Sequence, residues 1–384
     1  MAPRSVMARS VTARSVMARV PMLPTTVVGS YPVPEWLERL KTDYFRGRMS
    51  YAQLLDVHEM AIKAALHDQE LAGIDIVSDG ELRRDNDVDY FLARMPGIEI
   101  PETAKDFYFD YYEARLTAPL PEPDGTPLRL ADDFCFTAAH TSAPIKFSFT
   151  GPFSLARRVR GNAYPDRKEL VLAIARVLNA EAKALAGHGA ELLQIDEPFL
   201  AGYPEEAAVA VEAVNIVTEG VDVTWALHVC YGNRYARPLW QGHYDFLFPA
   251  VLSARVDQLV LEFARKGYED LPVLQKFGWD RDIGLGVIDV KSTEVEAPGL
   301  IAERIRAALD LVPAERLVIN PDCGLRNLPG PVARAKLAAM AEGAAAVRAE
   351  LGARQPAIQP TTEPAETEPA ETQAADHTVK GSDQ

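Results

Sequence analysis

Val223-Thr224-Trp225-Ala226-Leu227-His228-Val229-Cys230 is a run of strand-forming residues that closes on an imidazole and a thiol. On a strand, residues two apart face the same side, so His228 and Cys230 can both reach one ion from a strand end. Two distant stretches end in the same way. Leu259-Val260-Leu261 leads into Glu262, and Arg316-Leu317-Val318-Ile319 leads into Asn320-Pro321-Asp322-Cys323. One imidazole, two thiols and a carboxylate presented at strand ends could close around a zinc ion. Each residue alone has a plainer reading. A buried Cys is usually a small hydrophobe, a lone His usually satisfies a local hydrogen bond, and Glu262 could pair at the surface with Arg265 or Lys266. The joint pattern is harder to dismiss, because two of only three cysteines fall at such ends. Cys135, in Phe134-Cys135-Phe136-Thr137, lacks that context and takes the structural reading.

Working outward, strand-like and helical runs alternate from Thr25 onward. Strand-like runs precede Gly29-Ser30, Ser78-Asp79-Gly80-Glu81, Thr150-Gly151-Pro152, Asp196-Glu197-Pro198, His228, Glu262, Asp289-Val290-Lys291 and Asn320. Helical stretches are expected over 51–72, 167–187, 205–217 and 331–350. A Tyr-, Phe- and Pro-rich excursion, roughly 95–143, reads as strands and loops of the hairpin kind, inserted after the second unit. Eight such units predict an α/β fold, a closed (β/α)8 TIM barrel, with all eight polar strand ends at one mouth. A doubly wound sheet is the rival, but no Gly-x-Gly-x-x-Gly turn follows the first strand.

Composition sets the remaining bounds. The 384 residues are 48% hydrophobic and 25% charged, with a net charge of -15. A globular chain follows, and nucleic acid and anionic membranes are disfavoured as partners. The four arginines of 1–20 and the acidic excess of 352–384 cancel, so the body carries the charge. Three cysteines do not make a disulfide framework and fit a reducing cytoplasm. No apolar run reaches membrane-spanning length. Residues 1–20 are Arg- and Ser-rich like a transit peptide, though a disordered extension or a coding start near Met22 is the favoured expectation. The Pro-, Glu- and Thr-rich stretch 352–384 is expected to be disordered. The expected domain is therefore 21–351.

Val28-Gly29-Ser30, Asp79-Gly80-Glu81-Leu82-Arg83-Arg84, Gln194-Ile195-Asp196-Glu197-Pro198, His228-Val229-Cys230-Tyr231, Gly286-Val287-Ile288-Asp289 and Asn320-Pro321-Asp322-Cys323-Gly324-Leu325 occur in one order along the chain. In that order they resemble the catalytic domain of cobalamin-independent methionine synthase. The resemblance spans about 25–350, and Asn-Pro-Asp-Cys-Gly-Leu is its most specific motif. It implies catalytic zinc on His228, Cys230, Glu262 and Cys323. It implies that the amino-acid part of homocysteine lies near Gly29, Ser30, Glu81 and Asp196, and that its sulfur attacks a methyl group. A thiolate is the nucleophile such chemistry needs, and a coordinated thiol is deprotonated.

Three features depart from the family pattern. The full-length enzyme has a second, folate-binding barrel with no counterpart here. The segment between Cys230 and Glu262 is long and aromatic. Lys291, close after Asp289, stands where the family carries a proton-donating histidine. A lysine there could donate a proton if burial or zinc lowered its pKa, or bind an anionic group of another substrate. The methyl donor is then a methylated folate or a methyl corrinoid delivered by a carrier protein. The runner-up function is a zinc-dependent coenzyme M alkyltransferase, using an epoxyalkane or a methyl corrinoid. A binding barrel without chemistry would lack a ligand, and a decarboxylase of the related tetrapyrrole branch would not need the His-x-Cys and late Cys set.

Overall fold

The structure, a computed structural model, describes residues 16–101 and 110–354. Its strands in chain order are β1 (Ile98–Glu99), β2 (Ala114–Leu116), β3 (Lys146–Thr150), β4 (Val159–Gly161), β5 (Leu192–Asp196), β6 (Thr224–Val229), β7 (Gln258–Leu261), β8 (Asp282–Ile288) and β9 (Leu317–Pro321). Six of them form a parallel sheet in the order β3-β5-β6-β7-β8-β9. Parallel bridges Val77↔Ile145, Thr26↔Ile76 and Thr25↔Ile319 carry the ladder from β3 back to β9. The ring is therefore closed, as expected, with eight strand positions.

Two of those positions are single bridges instead of the extended strands the sequence suggested. The reason is local. The Gln69 side chain takes both backbone groups of Ser78, accepting from its N–H at 3.0 Å and donating to its carbonyl at 2.9 Å. The ladder stops there, and 78–81 turns inward. The chain after Val27 likewise leaves the ladder, so Ser78 Oγ donates to Gly29 O at 2.8 Å.

The helices Tyr51–Leu71, Arg167–Gly187 and Ala207–Val217 cover the outside of the barrel. Ser50 and Gln53 form a reciprocal capping box at the first of these, and Asp166 caps the second. Gly330–Arg354 runs past the expected boundary at 351, and Val16 is already buried ahead of the expected start at 21. The rest of the expected terminal segments, 1–15 and 355–384, lies outside the described residues.

The excursion contains the antiparallel pair β1–β2, as anticipated, but β2 also pairs in parallel with β4, which follows β3. It also contains a helix, Leu130–Ala138, where strands and loops were expected. Its aromatic residues suit strands, yet Leu130, Phe134 and Thr137 repeat at helical spacing and lie on the buried face with Ala131 and Asp133. Cys135 lies on the exposed side of that helix, not in the core its structural reading implied. Among the described residues no helix is long and apolar enough to cross a membrane.

The large apolar core lies between the sheet and the helices. Inside the barrel the apolar contribution is small: Val28, Ala226 and Val260 form a cluster of their own. Around it stand buried Lys146, Ser148, Gln194, Gln258 and Asn320. β8 makes room for this polar filling with glycines. A Cβ at Gly284 would lie 2.6 Å from Asn320 Oδ1. One at Gly286 would overlap Asp322 Oδ1 and sit 2.8 Å from Leu261 O. Gly286→Ala should therefore destabilise the fold by about 1–3 kcal/mol, the usual range for overpacking. Gly299→Ala, facing open space, should not. Denaturant midpoints of the two variants test this, and equal midpoints would contradict it.

His58 is buried in the helix Tyr51–Leu71, with no hydrogen-bond partner for Nε2. Burial, reinforced by the Lys41, Arg83 and Arg94 cations, lowers its pKa to about 2. In the unfolded chain a histidine titrates near ~6.5. Between those values the unfolded state binds a proton the folded state refuses, so stability falls as pH drops below the unfolded value. His58→Gln should flatten the loss of stability between pH ~6.5 and ~4, read from denaturant midpoints. An unchanged slope would contradict this.

Candidate metal and substrate site

The alternation of β6 sends Trp225, Leu227 and Val229 outward into the core and leaves Ala226 and His228 inside. His228 Nδ1 lies 3.0 Å from Val260 O, a backbone carbonyl that orients the ring. Nε2 is buried with no hydrogen-bond partner. Cys230 follows at the strand end, fully buried, and its Sγ is 3.4 Å from Cys323 Sγ beyond β9. The ligand atoms of His228, Cys230 and Cys323 all lie within 4.8 Å of one another. Two strand ends, whose Cys230 and Cys323 lie 93 positions apart, thus form one cluster able to hold a metal ion.

Electrostatics within the cluster are strained. Hydrogen bonding to Cys230, then burial, pushes the Cys323 thiol well above the ordinary value. Burial works to lower the His228 pKa, and Cys323, Asp196 and the Val260 carbonyl together raise it above its ordinary value. Two thiols and an imidazole with no partner are a soft donor set of the kind that zinc takes. The orphaned Nε2 and the paired sulfurs fit such an ion.

Glu262 is fully buried one residue beyond β7. It does not join the three-residue cluster. Its Oε2 accepts from Lys291 Nζ at 2.9 Å, and its Oε1 accepts from Arg265 Nε at 2.5 Å. The pairing with Arg265 matches the plainer reading of the sequence, but it is internal, not at the surface; Lys266 instead pairs with Asp270. Burial acts to raise the Glu262 pKa, and the Lys291 and Arg265 cations outweigh it, so the carboxyl titrates below its ordinary range. Lys291 is raised in turn: burial opposes the charge, but Glu262 and then the Cys323 and Cys230 sulfurs favour it. The ammonium of Lys291 is thus buried against the Glu262 carboxylate. Asp289 places it there indirectly. Its Oδ1 accepts from Lys291 N at 2.8 Å and shapes the turn after β8.

Asp322, quoted above only as part of a motif, turns out to organise this end of the barrel. Its Oδ1 accepts from the N–H groups of Phe263 and Ala264 at 2.9 and 2.8 Å, and its Oδ2 accepts from Arg265 N at 2.9 Å. It thereby holds the turn after Glu262 against the residue next to Cys323. Burial raises its pKa to about 7, with Glu262 adding to that and the backbone donors opposing it. An acid beside a cysteine in a strand-end motif signalled this residue, but its partner turn is unreadable without the fold.

Of the remaining predicted residues, Ser30, Glu81 and Asp196 line a cavity that opens over the cluster, and Gly29 lies behind it against the Glu81 carboxylate. Ser30, Glu81, Asp196, His228, Cys230 and Cys323 all face it. Glu81 adopts φ 56°, unusual for a residue with a side chain. Its Oε1 accepts from Ser148 Oγ at 2.9 Å and lies 3.2 Å from Arg84 Nη1. Gly29 makes this possible, since a Cβ there would overlap that carboxylate and lie 2.7 Å from Ser148 Oγ. Arg84 is itself buried, donates to Ser148 O at 2.5 Å, and stands over the rings of Phe91 and Phe147 at 5.2 and 5.7 Å. Asp196 is paired in register with His228 and accepts from Gln194 Nε2 at 2.7 Å. Burial raises its pKa to about 7, against the pull of His228. Glu197 points the other way. Its carboxylate accepts from Phe153 N, Ser154 N and Ser154 Oγ at 3.1, 2.8 and 2.6 Å and serves the helix Pro152–Ala156, not the cavity.

A family model described as the cobalamin-independent synthase catalytic domain matches residues 23–346. A methionine synthase of Sulfurisphaera tokodaii is 35% identical over 333 residues, covering 86% of this chain and 94% of that protein. One from Saccharolobus solfataricus is 35% identical over 333 residues, covering 86% and 97%. Among solved structures, a B12-independent methionine synthase from Shewanella sp. W3-18-1, in complex with selenomethionine, superposes with TM-score 0.75 at 27% identity, over 86% of this chain and 99% of that one. A methyltransferase from Methanosarcina mazei shares the fold at TM-score 0.58 and 15% identity, over 90% and 100% of the two chains. The matched region runs from just before the first barrel bridge into the last helix, and the chain belongs to the cobalamin-independent synthase catalytic-domain family.

Proposed function

We propose that this protein transfers a methyl group to the thiol of homocysteine and so makes methionine. The observation that carries the reading is that one cavity has two characters. Acids, Glu81 and Asp196, face it from one side, and the imidazole–dithiol cluster faces it from another. An amino acid with a thiol side chain matches that pattern, because its ammonium needs carboxylates and its sulfur needs a soft site. The methionine synthases among its relatives, and the selenomethionine bound by the Shewanella protein, support the same choice.

Zinc is the metal we assign, with His228, Cys230 and Cys323 to hold it and Glu262 as the fourth group. When bound, zinc supplies the charge that lets a thiol give up its proton near neutral pH. The chain's own residues do the rest. Ser30, Glu81 and Asp196 hold and orient the amino-acid end. The buried walls of the cavity keep water from competing with the sulfur. In the transfer the thiol loses its proton, its sulfur bonds to the methyl carbon, and the bond from that carbon to the donor breaks. Lys291 Nζ, held by Glu262 with its pKa raised, stays an ammonium and offers a leaving group positive charge and a hydrogen bond. Asp289 positions it through the backbone.

The donor is a methylated folate or a methyl corrinoid brought by a carrier protein. Arg234, Arg326 and Tyr111 line the outer part of the cavity, where that donor would approach. Coenzyme M fits less well. A sulfonate needs a cation, and Lys291 is engaged by Glu262 while Arg234 is engaged by Asp110 and the Tyr111 ring. The few, unbridged cysteines support a reducing cytoplasm as its compartment.

Zinc-loaded protein given a methyl corrinoid or methylated folate should convert homocysteine to methionine and leave coenzyme M unmethylated. Asp196→Asn should raise KM for homocysteine by roughly 10- to 100-fold, the usual consequence of losing a charged hydrogen-bond partner, with a smaller effect on kcat. Methylation of coenzyme M in preference to homocysteine, or an unchanged KM, would overturn the assignment.

A further inference from the structure

The aromatic part of the segment between Cys230 and Glu262, residues 240–253, does not line the cavity. It contains two short 3-10 turns, Tyr244–Leu247 and Ala250–Ser253, in place of a full covering helix. One side chain leaves it for the barrel. Tyr244 is fully buried, and its hydroxyl donates to Val229 O at 2.8 Å while accepting from Glu262 N at 2.9 Å.

Those two backbone groups lie where the ladder ends. Val229 and Leu261 are the last register partners of β6 and β7. Beyond them the strands separate, because Cys230 and Glu262 turn toward the site. Separation would leave a buried carbonyl and a buried N–H without partners, and buried backbone groups are rarely left so. The Tyr244 hydroxyl replaces the missing rung. It both donates and accepts, as a hydroxyl can, and so bridges the two backbone groups. The ring is locked by neighbours: Tyr231 at 5.0 Å, Phe263 at 6.1 Å and Phe246 at 6.4 Å between centroids. A rigid ring fixed on three sides sets where its oxygen lies, and the oxygen sets where Val229 and Glu262 lie.

We infer that Tyr244 is a positioning residue for metal binding: its hydroxyl fixes the strand end that carries His228 and Cys230 relative to the strand end that carries Glu262. This rests on the metal site proposed above. Groups that orient a metal's ligands typically change affinity by about 10- to 100-fold when removed. The Asp322 carboxylate does the corresponding task on the other side of Glu262, so that residue is held from both flanks.

The test is Tyr244→Phe in the full chain, which removes that oxygen and keeps the ring. Asp245→Asn serves as the control, since it breaks only a surface pair with Lys276 in the same insert. Each protein is loaded with zinc and its release to a chelator is followed; cobalt(II) is then substituted and its visible spectrum recorded. Tyr244→Phe should release zinc roughly 10- to 100-fold more readily and shift the cobalt bands, while the control matches wild type. A folded Tyr244→Phe that retains zinc with unaltered cobalt bands would overturn the inference alone. A Tyr244→Phe chain that cannot fold would also overturn it, by assigning the hydroxyl to the fold instead. Wild type that binds neither metal would overturn the proposed metal site first, and this inference with it.

Discussion

Two sulfur atoms 3.4 Å apart, beside an imidazole nitrogen with no hydrogen-bond partner, are the arrangement on which the rest of the site depends. The two thiols, crowded in a buried space, repel one another once both are ionised, and buried without charge they and the imidazole leave polar atoms unsatisfied. A divalent cation resolves both difficulties. The barrel is built so that this resolution happens at its mouth. β6, β7 and β9 deliver the groups, β8 stays thin with Gly284 and Gly286, and Lys291 and Arg265 supply positive charge to the carboxylate between them.

The surroundings carry the conformational consequences. Glu81 is held at positive φ, and Gly29 gives up a side chain so that the Glu81 carboxylate has a place. Residues in sparsely populated backbone regions persist when their surroundings over-determine them, and they cluster at functional sites. Here Ser148 and Arg84 do the determining. The interior of the barrel is mostly polar as a result, and the fold depends on the large apolar layer outside the sheet for its stability.

The closed barrel and the three-residue cluster were legible because each rests on a local pattern. A run of β-formers followed by a functional side chain can be read from a dozen residues, and eight such runs leave few architectures. The helix Leu130–Ala138 was not legible, because its aromatic residues suit a strand and only its burial pattern reveals the helical period. The partners of Glu262 were half legible. Arg265 lies three residues away and was a visible candidate, whereas the approach of Lys291 depends on β8 lying beside β7. The roles of Asp322 and Tyr244 were invisible for a related reason. Each acts on backbone atoms of a distant turn, and backbone atoms carry no sequence signal.

The central claim is that side chains from separate strand ends grip one zinc ion. X-ray absorption at the zinc edge, on the full chain purified with stoichiometric zinc, tests it most directly. The account predicts two sulfur scatterers and one imidazole in the first shell. A shell made only of oxygen and nitrogen, or two sulfurs that remain after Cys230 and Cys323 are both replaced by serine, would contradict it.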